Sequence, residues 1–163
     1  MKKLSLLLAC FGVLAAFAPP AIATDATVEA AWDGDDAQFT KLGKQFRKGV
    51  RAWRKSGYRR PGTALKANRR ARKLLRGTIS RVKAQPSSTT TGERAKKLAL
   101  ASMSDFRKDI TLEAAIIRRI TAGKNADRLI KRSDRYQARS FRRSKSARKL
   151  FRQAEREAVA PPA

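Results

Sequence analysis

Phe39, Leu42, Phe46, Val50 and Trp53 recur at three- and four-residue steps, which places them on one side of a helix with polar residues on the other. Asp35 and Asp36 precede this stripe, where the positive end of a helix dipole favours acids, and Gly57 follows it as a stop. The pattern predicts a helix over Asp35–Ser56. Gly43 and Gly49 inside it each cost about 1 kcal/mol against alanine, so they mark candidate points of close packing. A second stripe, Ala67, Ala71, Leu74, Leu75, Thr78 and Val82, follows Pro61-Gly62, with Thr63 as N-cap and Pro86 as terminator. Pro86 to Gly92 reads as a loop by composition.

The third predicted helix opens on a capping-box pattern, Thr90 to Glu93, and carries Ala99, Met103, Phe106, Ile110, Ile117 and Ile120 to Gly123. Ser102 to Asp105 is a candidate kink. Asn125 caps a fourth helix, Ala126–Ala158, whose thinner stripe is Ala126, Ile130, Ser133, Phe141, Ala147, Phe151 and Ala154. The short connection makes the last two helices an antiparallel hairpin, with the far end expected to fray. No strand alternation competes with these periods. The fold class is therefore all-α, an antiparallel bundle of about four helices, with a three-helix core and a loose fourth helix as the fallback.

Residues 1–23 read as a signal peptide. Lys2 and Lys3 are the positive n-region, Leu4 to Phe17 the apolar h-region, and Ala21-Ile22-Ala23 a small-x-small cleavage site. The alternatives are an uncleaved segment acting as an anchor and a lipobox-like reading of Leu7-Leu8-Ala9-Cys10. Residues 24–34 read as an acidic spacer, which favours export of the flank, 35–158 as the bundle domain, and 159–163 as a tail. The expected location is secreted or extracytoplasmic.

Charge changes the picture most. The chain has 39 Lys and Arg against 13 Asp and Glu, a formal +26. Between Ala37 and Gly92 lie seventeen Lys and Arg and no acid. An ordinary amphipathic helix carries i,i+4 acid partners on its solvated face. Here they are missing, so neighbouring cations repel. Lys41, Lys44, Lys48, Arg51 and Lys55 form a stripe opposite the first apolar face, one cation per ~5 Å of axis. Arg59 and Arg60 occupy the following turn beside Tyr58, and Lys66, Arg69, Arg70 and Lys73 repeat the plan on the second helix. These eleven residues are the candidate polyanion-binding set.

Catalytic chemistry has little to work with. There is no histidine, and the single cysteine, Cys10, lies in the signal segment. Zinc sites built from Cys and His and Ser–His or Cys–His nucleophile pairs are excluded. Asp105, Asp109 and Glu113 step by four along the third helix and could serve acid–base work or Ca²⁺. The simpler expectation is that they pair with cations of neighbouring helices, Glu113 with a specific Arg. Trp32, Trp53 and Tyr136 are expected as core. No helix-turn-helix, phosphate loop or RNA-binding aromatic pattern appears.

The sequence thus points to a non-enzymatic, exported basic protein with no cofactor and no inferred small-molecule substrate. Its partner is an anionic wall polymer, acidic polysaccharide, non-specific nucleic acid or anionic membrane surface. The rival readings are a partner-binding module with incidental charge and a membrane-active basic protein.

Overall fold

The computed structural model describes residues 24–159 and is all-helical. Its elements are α1 (Asp25–Asp33), α2 (Asp36–Lys55), α3 (Gly62–Ala84), α4 (Thr90–Thr121) and α5 (Asp127–Val159). The expected signal peptide, residues 1–23, and residues 160–163 of the tail lie outside the described residues.

Backbone chemistry accounts for the boundaries. α2 and α4 each end in paired backbone bonds of the Schellman type. After α2, Tyr58 N–H donates to Trp53 O and Gly57 N–H to Arg54 O; after α4, Lys124 N–H reaches Arg119 O and Gly123 N–H reaches Ile120 O. Gly57 (φ 62°) and Gly123 (φ 69°) supply the left-handed residue this requires. Gln85, held extended before Pro86, closes α3. Asn125 Oδ1 accepts from Asp127 N–H at 2.8 Å and starts α5 as expected.

Two cap assignments shift. α4 is capped by Thr89, whose Oγ1 accepts from Gly92 N–H at 2.8 Å, so the Thr90–Glu93 capping box does not form. α3 begins at Gly62 behind Pro61, placing Thr63 inside the helix. α4 runs unbroken through Ser102–Asp105.

Paired positions fix the helix directions. Ser102 Oγ meets Ser140 O, and Asp105 meets Arg139, so numbering falls along α5 as it rises along α4. Asn68 reaches Ile110 between α3 and α4, and Gly49 meets Ala64 between α2 and α3. All three neighbouring pairs are antiparallel. The α4–α5 hairpin is the most extensive interface, so the fallback of a loose last helix does not hold.

The largest departure is at the N-terminal end. Residues 24–34 are not a spacer: α1 lies against α3, α4 and α5, with Val28 fully buried and Trp32 packed on Phe151 at 5.9 Å. This docking buries Phe151 and Ala154, so α5 packs where fraying was expected. Val28, Trp32, Leu75, Val82, Ala99, Met103, Ile110 and Phe151 form the main core; Trp53, Ala64 and Ile117 form a second cluster toward the α2–α3 turn.

On α5 the predicted stripe is only partly correct. Ala126, Ser133, Ala147, Phe151 and Ala154 are buried, whereas Ile130 is 39% and Phe141 72% exposed. Asp105 takes Arg139 and Arg143 as partners, so polar side chains occupy α5's inward positions in its middle turns and Phe141 faces out.

Candidate cationic surface

α2 leans chiefly on α3, and the approach is closest at Gly49, where a Cβ would lie 2.5 Å from Ala64 N. Gly43, the other glycine singled out, faces open space. With the α2 apolar stripe turned inward (Phe39, Phe46 and Val50 against the cores, Trp53 buried), the basic stripe is left outside.

All eleven candidate cations, Lys41, Lys44, Lys48, Arg51, Lys55, Arg59, Arg60, Lys66, Arg69, Arg70 and Lys73, are exposed. Among the described residues none of them makes an ion pair. The acids go elsewhere. Asp35, expected to serve its own helix end, crosses to α3, where it accepts from Thr78 Oγ1 at 2.6 Å and pairs with Arg81. Asp33 and Asp36 hold Arg148, Asp105 holds Arg139 and Arg143, and Glu93 faces Lys97.

A groove of about 690 Å³ between α2 and α3 is lined by Lys41, Arg70, Lys73 and Arg81, with Gln38, Gln45, Leu42 and Leu74 between them. It joins cations of both helices. The remaining α2 cations point further away: taking Gly49 as the direction of α3, Lys41 lies about 80° from it, Lys48 about 100°, Lys55 about 120°, Lys44 about 140° and Arg51 about 160°. Arg59 and Arg60 follow at the α2–α3 turn. Tyr58 there has φ 66°, its carbonyl accepts from Trp53 Nε1 at 2.8 Å, and its ring meets Trp53 edge-on at 5.0 Å.

The carboxylate ladder on α4 does not converge on one point. Asp105, 1% exposed, receives Arg139 Nε and Nη2 at 2.8 Å each and Arg143 Nη1 at 2.5 Å. Asp109 accepts from Ser133 Oγ, and burial lifts its pKa. Glu113 lacks the expected arginine. Among the described residues its neighbour is the Asn68 amide, 3.5 Å away, and burial, reinforced by Asp109, pushes its pKa up to about 7.

Tyr136 is not core. It is half-buried beside Lys108, Arg132 and Arg139, which approach its ring at 5.4, 5.8 and 4.8 Å. Trp32 and Trp53 are buried as expected. The cations around Tyr136 were missed by sequence reading because they come from two helices, α4 and α5, and no periodicity within one helix reveals a convergence.

The fold and surface define an all-helical bundle with an acid-poor, cationic exterior. No family model, curated protein or solved structure matches the chain.

Proposed function

We propose that the chain is an exported, non-enzymatic basic protein that holds an anionic polymer of the envelope or extracellular space against α2 and α3. The observation that carries this reading is the set of eleven exposed cations without ion-pair partners among the described residues. Cations spaced by one helical turn match the repeating charges of a polymer. Each phosphate or sulfate neutralised releases a counterion, so affinity falls steeply with salt. The carboxylates that could have served catalysis have structural partners instead: Asp105 its arginines, Asp109 Ser133, Glu113 Asn68.

The test is retention of residues 24–163 on a heparin or polyphosphate matrix across a salt gradient. The wild-type chain elutes late, and Lys41→Glu/Arg70→Glu/Lys73→Glu elutes much earlier. Elution of the wild type no later than a compact protein of ordinary charge overturns the reading.

Membrane activity is less favoured, because Phe39, Phe46 and Trp53 already serve the interior. No helix among the described residues is long and apolar enough to cross a membrane. Partner binding has one specific observation behind it: exposed Phe141 at the lip of a groove of about 300 Å³ that also reaches Trp32, Phe39 and Phe106. A salt-insensitive partner lost in Phe141→Ser would establish that reading.

A further inference from the structure

A second concentration of positive charge lies on a different face of α3. Arg70, in the α2 groove, and Arg72 are two residues apart and so point about 160° apart. Arg72 and Arg76 of α3 meet Arg107 and Lys108 of α4 and Arg132 and Tyr136 of α5 around a groove of about 440 Å³. Thr111 and Leu112 complete the lining, which contains no carboxylate.

We infer that this groove is a separate binding site for a compact cluster of phosphate groups, either a free oligophosphate or the phosphorylated end of a larger molecule. The arrangement separates it from the α2 surface. Along α2 the cations stand in a row, which suits an extended polymer. Here five cations from three helices surround one concavity, which suits several charges held on neighbouring atoms.

The cations are also available. Arg72, Arg76, Arg107, Lys108 and Arg132 make no ion pair among the described residues, whereas Arg139 and Arg143, close by on α5, are held by Asp105. Four of the five are arginines, whose planar forks donate two parallel bonds to a tetrahedral oxyanion. Leu112 and the Tyr136 ring form a partly apolar wall, which lowers the local dielectric and strengthens charge–charge contacts. The volume falls in the range of small-ligand sites, ~300–1,000 Å³. Mutual repulsion of the five cations disfavours the empty groove, so an occupant also stabilises the fold.

Tyr136 provides an internal reporter. Hydrogen bonding from the Arg132 guanidinium, with the charges of Lys108 and Arg139, holds its phenol below the ordinary tyrosine range, against a smaller opposing effect of burial. A bound phosphate cluster neutralises those cations and sets negative charge beside the hydroxyl, so the phenol titrates at higher pH. The chain has two tyrosines. Tyr58→Phe therefore leaves Tyr136 as the single phenolate absorber.

The experiment is calorimetric titration of residues 24–163 with tripolyphosphate at fixed ionic strength, with citrate as a carboxylate probe of comparable charge. Tripolyphosphate binds one site at least tenfold more tightly than citrate and raises the Tyr136 titration midpoint in the Tyr58→Phe background. Arg76→Ala/Arg132→Ala weakens it at least tenfold, and Lys149→Ala/Arg156→Ala on the far turns of α5 leaves it unchanged. Vesicles bearing phosphatidic acid that displace tripolyphosphate assign the phosphate to a lipid headgroup; retention of tripolyphosphate in their presence assigns it to a free oligophosphate. Equal affinity for citrate, an unmoved Tyr136 titration, or equal loss in both double variants overturns the site. Because heparin retention through α2 is measured separately, loss of this site does not disturb the polymer reading, nor the reverse.

Discussion

The carboxylate of Asp25 accepts a hydrogen bond from Thr89 Oγ1 at 2.7 Å, joining the first turn of α1 to the N-terminal cap of α4. Ser88 adds its N–H at 3.0 Å and its hydroxyl at 3.1 Å. An acid at this place also faces the positive end of the α4 dipole. The contact is tight enough to need a glycine opposite: a Cβ at Gly92 would lie 1.9 Å from Asp25 Oδ1. One buried aspartate thus anchors the segment that closes the main core through Val28 and Trp32.

Asp25→Ala leaves Ser88 and Thr89 donors without their acceptor and loosens α1, lowering stability by about 2–3 kcal/mol. Gly92→Ala does similar damage by expelling the carboxylate. Because both act on one contact, the double variant loses clearly less than the sum of the two. Urea midpoints of the four proteins check the cycle; simple additivity would show that Asp25 and Gly92 act separately.

The two glycines of α2 respond in opposite directions to alanine. At Gly49 the new Cβ meets the Ala64 backbone, which cannot yield locally, so α2 and α3 separate at a cost of about 2–4 kcal/mol. At Gly43 nothing lies within 4 Å, and the better helix former gains about 0.5–1 kcal/mol. Thermal melts of both variants decide the matter, and a loss at Gly43 would contradict the open space around it.

Glu113 makes stability fall as pH rises. Its pKa is about 7 in the folded chain against an ordinary 4.5, so between those values the folded state holds a proton that the unfolded state has released. The unfolded state then binds fewer protons, and unfolding free energy decreases with pH across about 4.5–7. Glu113→Gln removes this component and is more stable than wild type at pH 8 by on the order of 1–2 kcal/mol, discounted for partial exposure. Denaturant titrations at pH 5 and pH 8 test the slope. Unchanged slopes in the variant would show that another group, such as Asp109, controls it.

Asp105→Asn strips the negative charge from between Arg139 and Arg143, and the buried amide cannot replace three charge-assisted bonds. A loss of about 2–4 kcal/mol is expected, read from the shift in urea midpoint. A much smaller loss would mean that the two arginines simply turn to solvent.

Phe141 and Phe151 separate packed from exposed apolar residues on α5. Phe151 is fully buried against Trp32, and alanine there costs about 3–5 kcal/mol. Phe141→Ser changes stability by less than about 0.5 kcal/mol. Comparison of the two melting temperatures is sufficient.

Several of these features were legible in the residues alone. The stripe on α2, the stops at Gly57, Pro86 and Gly123, the Asn125 cap and the buried faces of α3 and α4 follow from period and local backbone chemistry, which act within a few residues. The largest misreadings involve partners distant in sequence. Residues 24–34 looked like a solvated spacer because three acids outweigh Val28 and Trp32 in a short window, and only the crevice formed by α3, α4 and α5 gives those two side chains a place. Thr89 displaced Thr90 as cap because Asp25 arrives to bond it. The α5 stripe slipped at Phe141 because Asp105 claims that helix's inward middle turns for arginines. Of the cationic residues, the α2 row was visible as a helical period, whereas the cluster around Tyr136 was not.

What the chain by itself determined is helical character, the position of most helix ends, and a run of cations too dense to neutralise itself, because propensity, capping and charge density are local quantities. Only the tertiary structure decided that an acidic segment becomes the fifth packed element, that Asp25, Asp33, Asp35, Asp105 and Asp109 are committed to particular distant partners, and that cations of α3, α4 and α5 share one groove. Those outcomes depend on which faces meet across the bundle, and long-range packing brings together residues whose spacing along the chain carries no signal.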